Sequence, residues 1–391
     1  MNINTVKEYE KRCGTPFYVF NGDILEQRIK SLQSRLSKRV ELCYAIKANP
    51  FITKEASKFV GKLEICSEGE YRICEELKLD PQTFVISGVN KNPDFIRELI
   101  ENRVNIGVYT VESEEHFSMI ESACNRTKNK VSVIFRLTSG NQFGLDEEVL
   151  ENLIKRAMEN PYLELCGIQY FSGTQKTSLK KLKREFEYVD GYIEKLQNEL
   201  NFNCKVLEFG PGFPVFYFEG ENFDEDQFIS GVNELIDALH FKGEIIFELG
   251  RSIAASCGQY VAKVADIKRN CGENYAILDG GMHQITYYGQ FMAMKHPKIQ
   301  HLGDIKGEEE SWTLCGSLCS VNDLLVKQYP LRNLQKGDYL VFKDTGAYCM
   351  TEGISLFLSR DIPAILLEKQ GEETKILRER FLTHKLNIPN Y

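Results

Sequence analysis

The sequence has no apolar run long enough to cross a bilayer, which argues against a helical membrane protein. Its first residues, Met1-Asn2-Ile3-Asn4-Thr5-Val6-Lys7-Glu8, lack the apolar stretch of a secretory signal, so the expected location is the cytoplasm. Positive charge is in deficit. A net charge of −8 disfavours a general binder of nucleic acid or anionic membranes. The twelve cysteines include no Cys-x-x-Cys pair, and Cys43, Cys66 and Cys166 sit in apolar, strand-like segments. That is the pattern of reduced thiols and not of a disulfide framework. Cys315 and Cys319 have no second ligand pair at zinc spacing, so no metal is expected. Internal repeats and long linkers are missing too. Gly307-Glu308-Glu309-Glu310 and Gly371-Glu372-Glu373 read as solvated turns, and Asn387–Tyr391 as a loose tail.

What is present is ordinary soluble composition in a chain long enough for two domains: 391 residues, 42% hydrophobic and 27% charged. From about residue 23 to 245, short apolar segments alternate with charged, helix-periodic ones. Strands are predicted at Glu41–Lys47, Leu63–Cys66, Thr83–Ser87, Asn105–Tyr109, Lys130–Leu137, Leu163–Phe171, Val206–Gly210 and Glu244–Glu248. Helices are predicted at Pro93–Asn102, Ser113–Cys124, Glu147–Glu159 and Lys180–Leu200. About eight such repeats are the count and size of an α/β (β/α)8 TIM barrel. A doubly wound open sheet is the competing reading, but it more often shows fewer repeats. After residue 250, Val261–Ile267, Tyr275–Leu278, Ser311–Cys315, Tyr339–Phe342 and Ala364–Glu368 read as strands separated by turns. The expected organisation is a barrel over 23–250 and a second, β-rich domain of barrel or sandwich type built from 1–22 and 251–391.

Five segments carry chemistry. Leu42-Cys43-Tyr44-Ala45-Ile46-Lys47 reads as a buried strand ending in a lysine; alternation puts Lys47 on the face of Cys43 and Ala45. Such a lysine either snorkels to solvent or serves as an amine for a Schiff base with pyridoxal phosphate. Leu207-Glu208-Phe209-Gly210-Pro211-Gly212-Phe213 is a strand running into a glycine turn whose amides can approach an anion, although Pro211 removes one donor. Phe247-Glu248-Leu249-Gly250-Arg251 offers a carboxylate for a pyridine nitrogen and an arginine for a phosphate, or a plain ion pair. In Leu314-Cys315-Gly316-Ser317-Leu318-Cys319-Ser320-Val321-Asn322-Asp323, Cys319 is either a proton donor or a small packed residue. Tyr348 in Asp344-Thr345-Gly346-Ala347-Tyr348 can donate to a phosphate or simply pack.

In order along the chain these segments resemble the fold-type III pyridoxal-phosphate decarboxylases, which include the ornithine and diaminopimelate decarboxylases. The resemblance runs from about Thr15 to Leu367. It rests on Thr15-Pro16-Phe17-Tyr18-Val19-Phe20, Tyr44-Ala45-Ile46-Lys47-Ala48-Asn49, Ser67-Glu68-Gly69-Glu70, Phe143-Gly144, Gly173-Thr174-Gln175, the Gly210 turn, Glu248-Leu249-Gly250-Arg251, the Cys319 segment and Gly346-Ala347-Tyr348. It implies pyridoxal 5'-phosphate as cofactor and a head-to-tail homodimer with shared active sites. Lys47, Gly210, Gly212, Glu248, Gly250 and Arg251 would hold the cofactor on one subunit. Cys319, Asp323 and Tyr348 would come from the other. The implied reaction is loss of a substrate's α-carboxylate, followed by proton return from Cys319 or Lys47.

Departures from the pattern bear on substrate. Phe171 stands where the family commonly stacks a histidine on the cofactor. Asp279-Gly280-Gly281-Met282-His283 is followed by Gln284-Ile285-Thr286-Tyr287-Tyr288, without the arginine that grips a distal carboxylate; Tyr287 and Tyr288 are the substrate-facing candidates there. Ser320 follows Cys319 where an acid commonly pairs with a distal ammonium, leaving Asp323 as the group to reach a distal amine. Diaminopimelate is therefore disfavoured, and free ornithine or lysine more mildly. The nearest likeness is to a secondary-metabolism branch whose butirosin-pathway member decarboxylates a glutamyl group on an acyl-carrier protein. That suggests a carrier-protein-bound or otherwise extended amino acid. A racemase on the same barrel would need a second base facing Lys47, and the Cys319 segment argues against it.

Overall fold

The computed structural model describes residues 1–390; the final residue of the expected tail, Tyr391, lies outside the described residues. Residues 387–390 are irregular and exposed. The chain divides into two compact units, one formed by Glu26–Pro214 with Asp224–Ile253, the other by Met1–Leu25, Val215–Phe223 and Ala254–Tyr391.

The first unit is a closed barrel of eight parallel strands. They are Val40–Ala45, Lys62–Ile65, Phe84–Ile86, Val108–Val111, Val131–Leu137, Leu163–Phe171, Val206–Gly210 and Glu244–Leu249. Closure is made by Val40–Ala45 pairing with Glu244–Leu249. Phe84-Val85-Ile86 is apolar on both faces because a barrel strand is buried on both. Helices cover the outside. In Pro93–Glu101, Asn92 caps the first turn, Pro93 starts the helix, and Phe95, Ile96, Leu99 and Ile100 form its buried stripe. Inside, Cys43, Val85 and Ile246 pack with Val108 and Val206. Two residues further along their strands, on the same face, stand Glu208 and Glu248. The barrel interior thus turns from apolar to acidic toward the C-terminal ends of the strands.

Two expectations shift within this unit. The fourth strand begins at Val108 and not Asn105, because the backbone first crosses at Gly107, where a Cβ would lie 2.4 Å from the Gln82 carbonyl. The first strand ends at Ala45, and Ile46–Ala48 form a single 3₁₀ turn. Lys47 is therefore presented by a turn and not by strand alternation. The Tyr44 hydroxyl donates to the Asn49 carbonyl at 2.9 Å, and the Asn49 side chain accepts from Phe51 N–H at 3.0 Å, which holds that turn.

The second unit is a nine-stranded sheet. Its long strand Gly258–Asn270 pairs at its start with Phe17–Asn21 and Tyr339–Lys343, then, past a shift between Val264 and Asp266, with Glu273–Leu278. The opening helix Ile3–Cys13 lays Val6 and Tyr9 against Phe17, Val19, Val261 and Leu366. That helix and the strands Ile299–Leu302, Leu324–Arg332 and Lys375–Arg378 are additions to the sequence reading. Leu324–Arg332 carries Pro330, which its place at the sheet edge tolerates. Val215–Phe223, expected within the barrel stretch, clusters with this unit; Glu219 N–H donates to the His296 carbonyl at 2.8 Å. Among the described residues no helix is long and apolar enough to cross a membrane.

Candidate active site

Five barrel strands carry a glutamate between two apolar residues, and in three of them it is buried: Leu63-Glu64-Ile65, Leu207-Glu208-Phe209 and Phe247-Glu248-Leu249. Closure of the barrel brings an oxygen of each within 4.8 Å of the others. The cation facing them is an ammonium. Lys47 Nζ lies 2.9 Å from Glu248 Oε1 and 3.0 Å from Glu64 Oε2, with Cys66 Sγ at 3.7 Å. The acids are almost fully enclosed, whereas the Lys47 side chain remains 38% exposed. It is both paired and reachable.

Burial and mutual repulsion divide the protons unequally among the acids. Burial alone would push the Glu64 carboxyl up. The Lys47 ammonium and a hydrogen bond from Glu248 outweigh it and hold Glu64 down at about 2. Glu248 moves well above the usual carboxylate range, through burial and then the negative charge of Glu64. Glu208 is pushed up to about 8 by the same two causes, in that order. Its Oε1 accepts from Gln169 Nε2 at 3.1 Å, and Oε2 has no partner. The shifts thus run in opposite directions beside the Lys47 ammonium: Glu64 toward the carboxylate, Glu208 and Glu248 toward the protonated acid.

Glu64, Glu208 and Gln169 were missed as site residues in the sequence reading. The available signal was a glutamate inside an apolar strand, since an unpaired charge there is costly, but Glu41 and Glu164 share that pattern and are only half-buried.

The glycine turn follows the seventh strand. A Cβ on Gly210 would lie 2.1 Å from the Phe171 ring, so only glycine lets that ring rest against the turn. Phe171 ends the sixth strand and is in register with Gly210. Gly212 has φ of +61°, and a Cβ there would meet the Gly173 carbonyl at 2.2 Å. The N–H groups of Gly212 and Phe213 have no hydrogen-bond partner among the described residues, although Phe213 is only 2% exposed. Buried unpaired amides in a glycine turn are ready donors for an anion. Gly250 and Arg251 close the last strand, and Arg251 is 8% exposed. An amine, an acid for a ring nitrogen, a flat aromatic face and free amides for a phosphate together fit pyridoxal phosphate.

The other expected residues lie in the sheet unit. Cys319 is exposed, on a loop whose Val321 is 89% exposed. Tyr348 has φ of +64°, in a turn where its carbonyl accepts from Thr351 and Glu352 N–H. Tyr288 is 48% exposed. Asp323 was expected to reach a distal amine of the substrate. Its carboxylate accepts from Met282 N–H at 2.8 Å and Leu318 N–H at 2.7 Å, and it is 2% exposed. A Cβ on Gly281 or Gly316 would strike the same carboxylate. Asp323 thereby braces two loops. The Tyr287 hydroxyl is likewise committed, donating to the Lys343 carbonyl at 2.6 Å.

Residues 22–255 match the family model described as "Pyridoxal-dependent decarboxylase, pyridoxal binding domain". The chain is 26% identical to the L-glutamyl-[BtrI acyl-carrier protein] decarboxylase of Niallia circulans, over 94% of this chain and 92% of that protein. It is 26% identical to the 2-[(L-alanin-3-ylcarbamoyl)methyl]-2-hydroxybutanedioate decarboxylase of Staphylococcus aureus, over 91% of this chain and 94% of that one. In fold it resembles the diaminopimelate decarboxylase of Helicobacter pylori complexed with L-lysine, with a TM-score of 0.85, 22% identity and coverage of 97% of this chain and 98% of that one. With a matching family model over more than half its length, and a barrel whose lysine, acids and glycine turn suit the cofactor that the model names, the chain belongs to the pyridoxal-dependent decarboxylases.

Proposed function

We propose that the protein releases the α-carboxylate of an extended amino acid as carbon dioxide, with pyridoxal phosphate held covalently at Lys47. The observation that carries this reading is the Lys47 amine, 38% exposed and within 3.0 Å of both Glu64 and Glu248 at the C-terminal ends of the barrel strands. When bound, the cofactor supplies an electron sink for the pair left at Cα as carbon dioxide departs.

The protein's own groups do the rest. Glu64 Oε2 is the base placed to take a proton from Lys47 Nζ when that amine must react as a nucleophile. Glu248 is the acid that would pair with the ring nitrogen, and its carboxylate would keep that nitrogen protonated. The amides of Gly212 and Phe213 would hold the phosphate, and Arg251 would offset its charge. Phe171 offers a stacking face but no proton.

Proton return to Cα is assigned to Cys319 of the partner subunit in a cytoplasmic homodimer. Its exposed position supports this, and the lack of a disulfide among the described cysteines suits a reducing compartment.

For substrate, Asp323 and Tyr287 are committed elsewhere, and Ser320 offers no charge. A distal ammonium therefore finds no acid on the Cys319 loop. In the two relatives named above, the printed substrates are a glutamyl unit on a carrier protein and an alanine unit linked through a carbamoyl group to an acid. Both support an amino acid with an extended distal end. The test is carbon dioxide release from free lysine, ornithine and diaminopimelate beside glutamyl-carrier and other N- or O-acylated amino acids. The extended substrates should be strongly preferred. Equal or higher kcat/KM with a free diamino acid would overturn the substrate reading.

A further inference from the structure

Behind the glycine turn lies a buried ion pair that the mechanism above does not use. Lys176 follows the Gly173-Thr174-Gln175 loop, and its side chain is 2% exposed. Its Nζ lies 2.7 Å from Glu185 Oε2 on the helix Leu179–Leu200 and 3.4 Å from the Gly210 carbonyl. Ser172 Oγ occupies the other Glu185 oxygen at 2.5 Å. The Lys176 ammonium also lies 5.6 Å from the centre of the Phe209 ring. Enclosing this pair costs desolvation that its own attraction only partly offsets, so stability alone gives little reason for it.

Its geometry gives another reason. The backbone N–H of Lys176 donates to the Gly212 carbonyl at 2.9 Å, while its ammonium holds the Gly210 carbonyl. Both carbonyls of the turn are thus drawn toward one residue. In a trans peptide the C=O and N–H point opposite ways. Holding the Gly212 carbonyl toward residue 176 therefore turns the Phe213 N–H away from it. That N–H is one of the two unpartnered amides of the turn.

Building on the cofactor reading, we infer that the Lys176–Glu185 pair is a positioning device: it anchors residue 176, whose backbone N–H holds the Gly212 carbonyl and so aims the Phe213 amide at the cofactor's phosphate. Lys176 does not touch the phosphate. Its backbone N–H fixes the Gly212 carbonyl, which sets where the Phe213 amide points, and Glu185 with Ser172 anchors its side chain to the helix.

The experiment is titration of cofactor-free wild type, Lys176→Met and the Lys176→Met/Glu185→Leu double variant with pyridoxal phosphate and with pyridoxal, which lacks the phosphate. The visible absorbance of the lysine-bound cofactor is the readout. The double variant leaves no buried charge unpaired and keeps the test open if the single variant fails to fold. Loss of aim should weaken pyridoxal phosphate by roughly tenfold, the worth of one charge-assisted hydrogen bond, and pyridoxal by less than about twofold. An unchanged ratio of the two affinities in a folded variant overturns the inference while leaving the cofactor reading intact. So does an equal loss for both ligands, which would mean general scaffolding. A wild type that gains no Lys47-dependent absorbance overturns the cofactor reading itself.

Discussion

Replacing Glu208 with glutamine removes one ionisable group from the acid cluster with almost no change of shape. The side chain is 1% exposed, its Oε1 keeps an amide donor in Gln169, and its Oε2 is unpartnered. Burial and Glu64 raise its carboxyl from 4.5 to about 8. Between those values the folded protein holds a proton that the unfolded chain gives up. Folding stability therefore falls as pH rises across that window and levels off above it. At roughly 1.4 kcal/mol per unit, the whole shift is on the order of 5 kcal/mol. Because the proton is shared in effect with Glu64 and Glu248, about 2 kcal/mol is assigned to this position. In a barrel unit of this size that is a difference of about 5 °C in Tm. Thermal unfolding of the cofactor-free protein, followed by circular dichroism at pH 5 and pH 9, should show wild type losing this much more than Glu208→Gln. Equal pH slopes, or a steeper one in the variant, would refute the assignment of a retained proton to Glu208.

Lys47→Ala should abolish both the visible absorbance of bound cofactor and product formation, measured by spectrophotometry and carbon dioxide release. In wild type, Glu64 held at about 2 adds stability above its ordinary 4.5, which is lost as pH falls through 2; the same variant should lose that contribution in acid-unfolding curves. Asp323→Ala leaves the Met282 and Leu318 amides without an acceptor and should cost about 2–4 kcal/mol in denaturant unfolding. Wild-type stability combined with a raised KM would instead mark Asp323 as a substrate group. Cys319→Ala should slow product formation or divert it toward transamination while the cofactor absorbance persists; unchanged rate and product would pass the proton-donor role to Lys47.

Much of the architecture was legible because burial on both faces leaves its mark in every barrel strand. Leu163–Phe171 and Val206–Gly210 have the bounds that their apolar runs predict. The sheet unit was harder to read. Leu324–Arg332 is an edge strand containing Lys327, Gln328 and Pro330, and an edge strand need not be apolar on either face. Lys47 was legible as a residue but not in its setting, since a 3₁₀ turn replaces the strand end. The setting of Asp323 was not legible, because a lone carboxylate near a catalytic loop looks the same in sequence whether it faces a substrate or two backbone amides.

The order of motifs, from Lys47 through the glycine turn to Glu248 and Arg251, is a property of the linear sequence, and it determined the barrel and the cofactor class by itself. Which acid keeps its proton was decided only by tertiary structure. Glu64, Glu208 and Glu248 lie on strands far apart in the chain, and their unequal charge states arise once barrel closure crowds them around a single ammonium away from water.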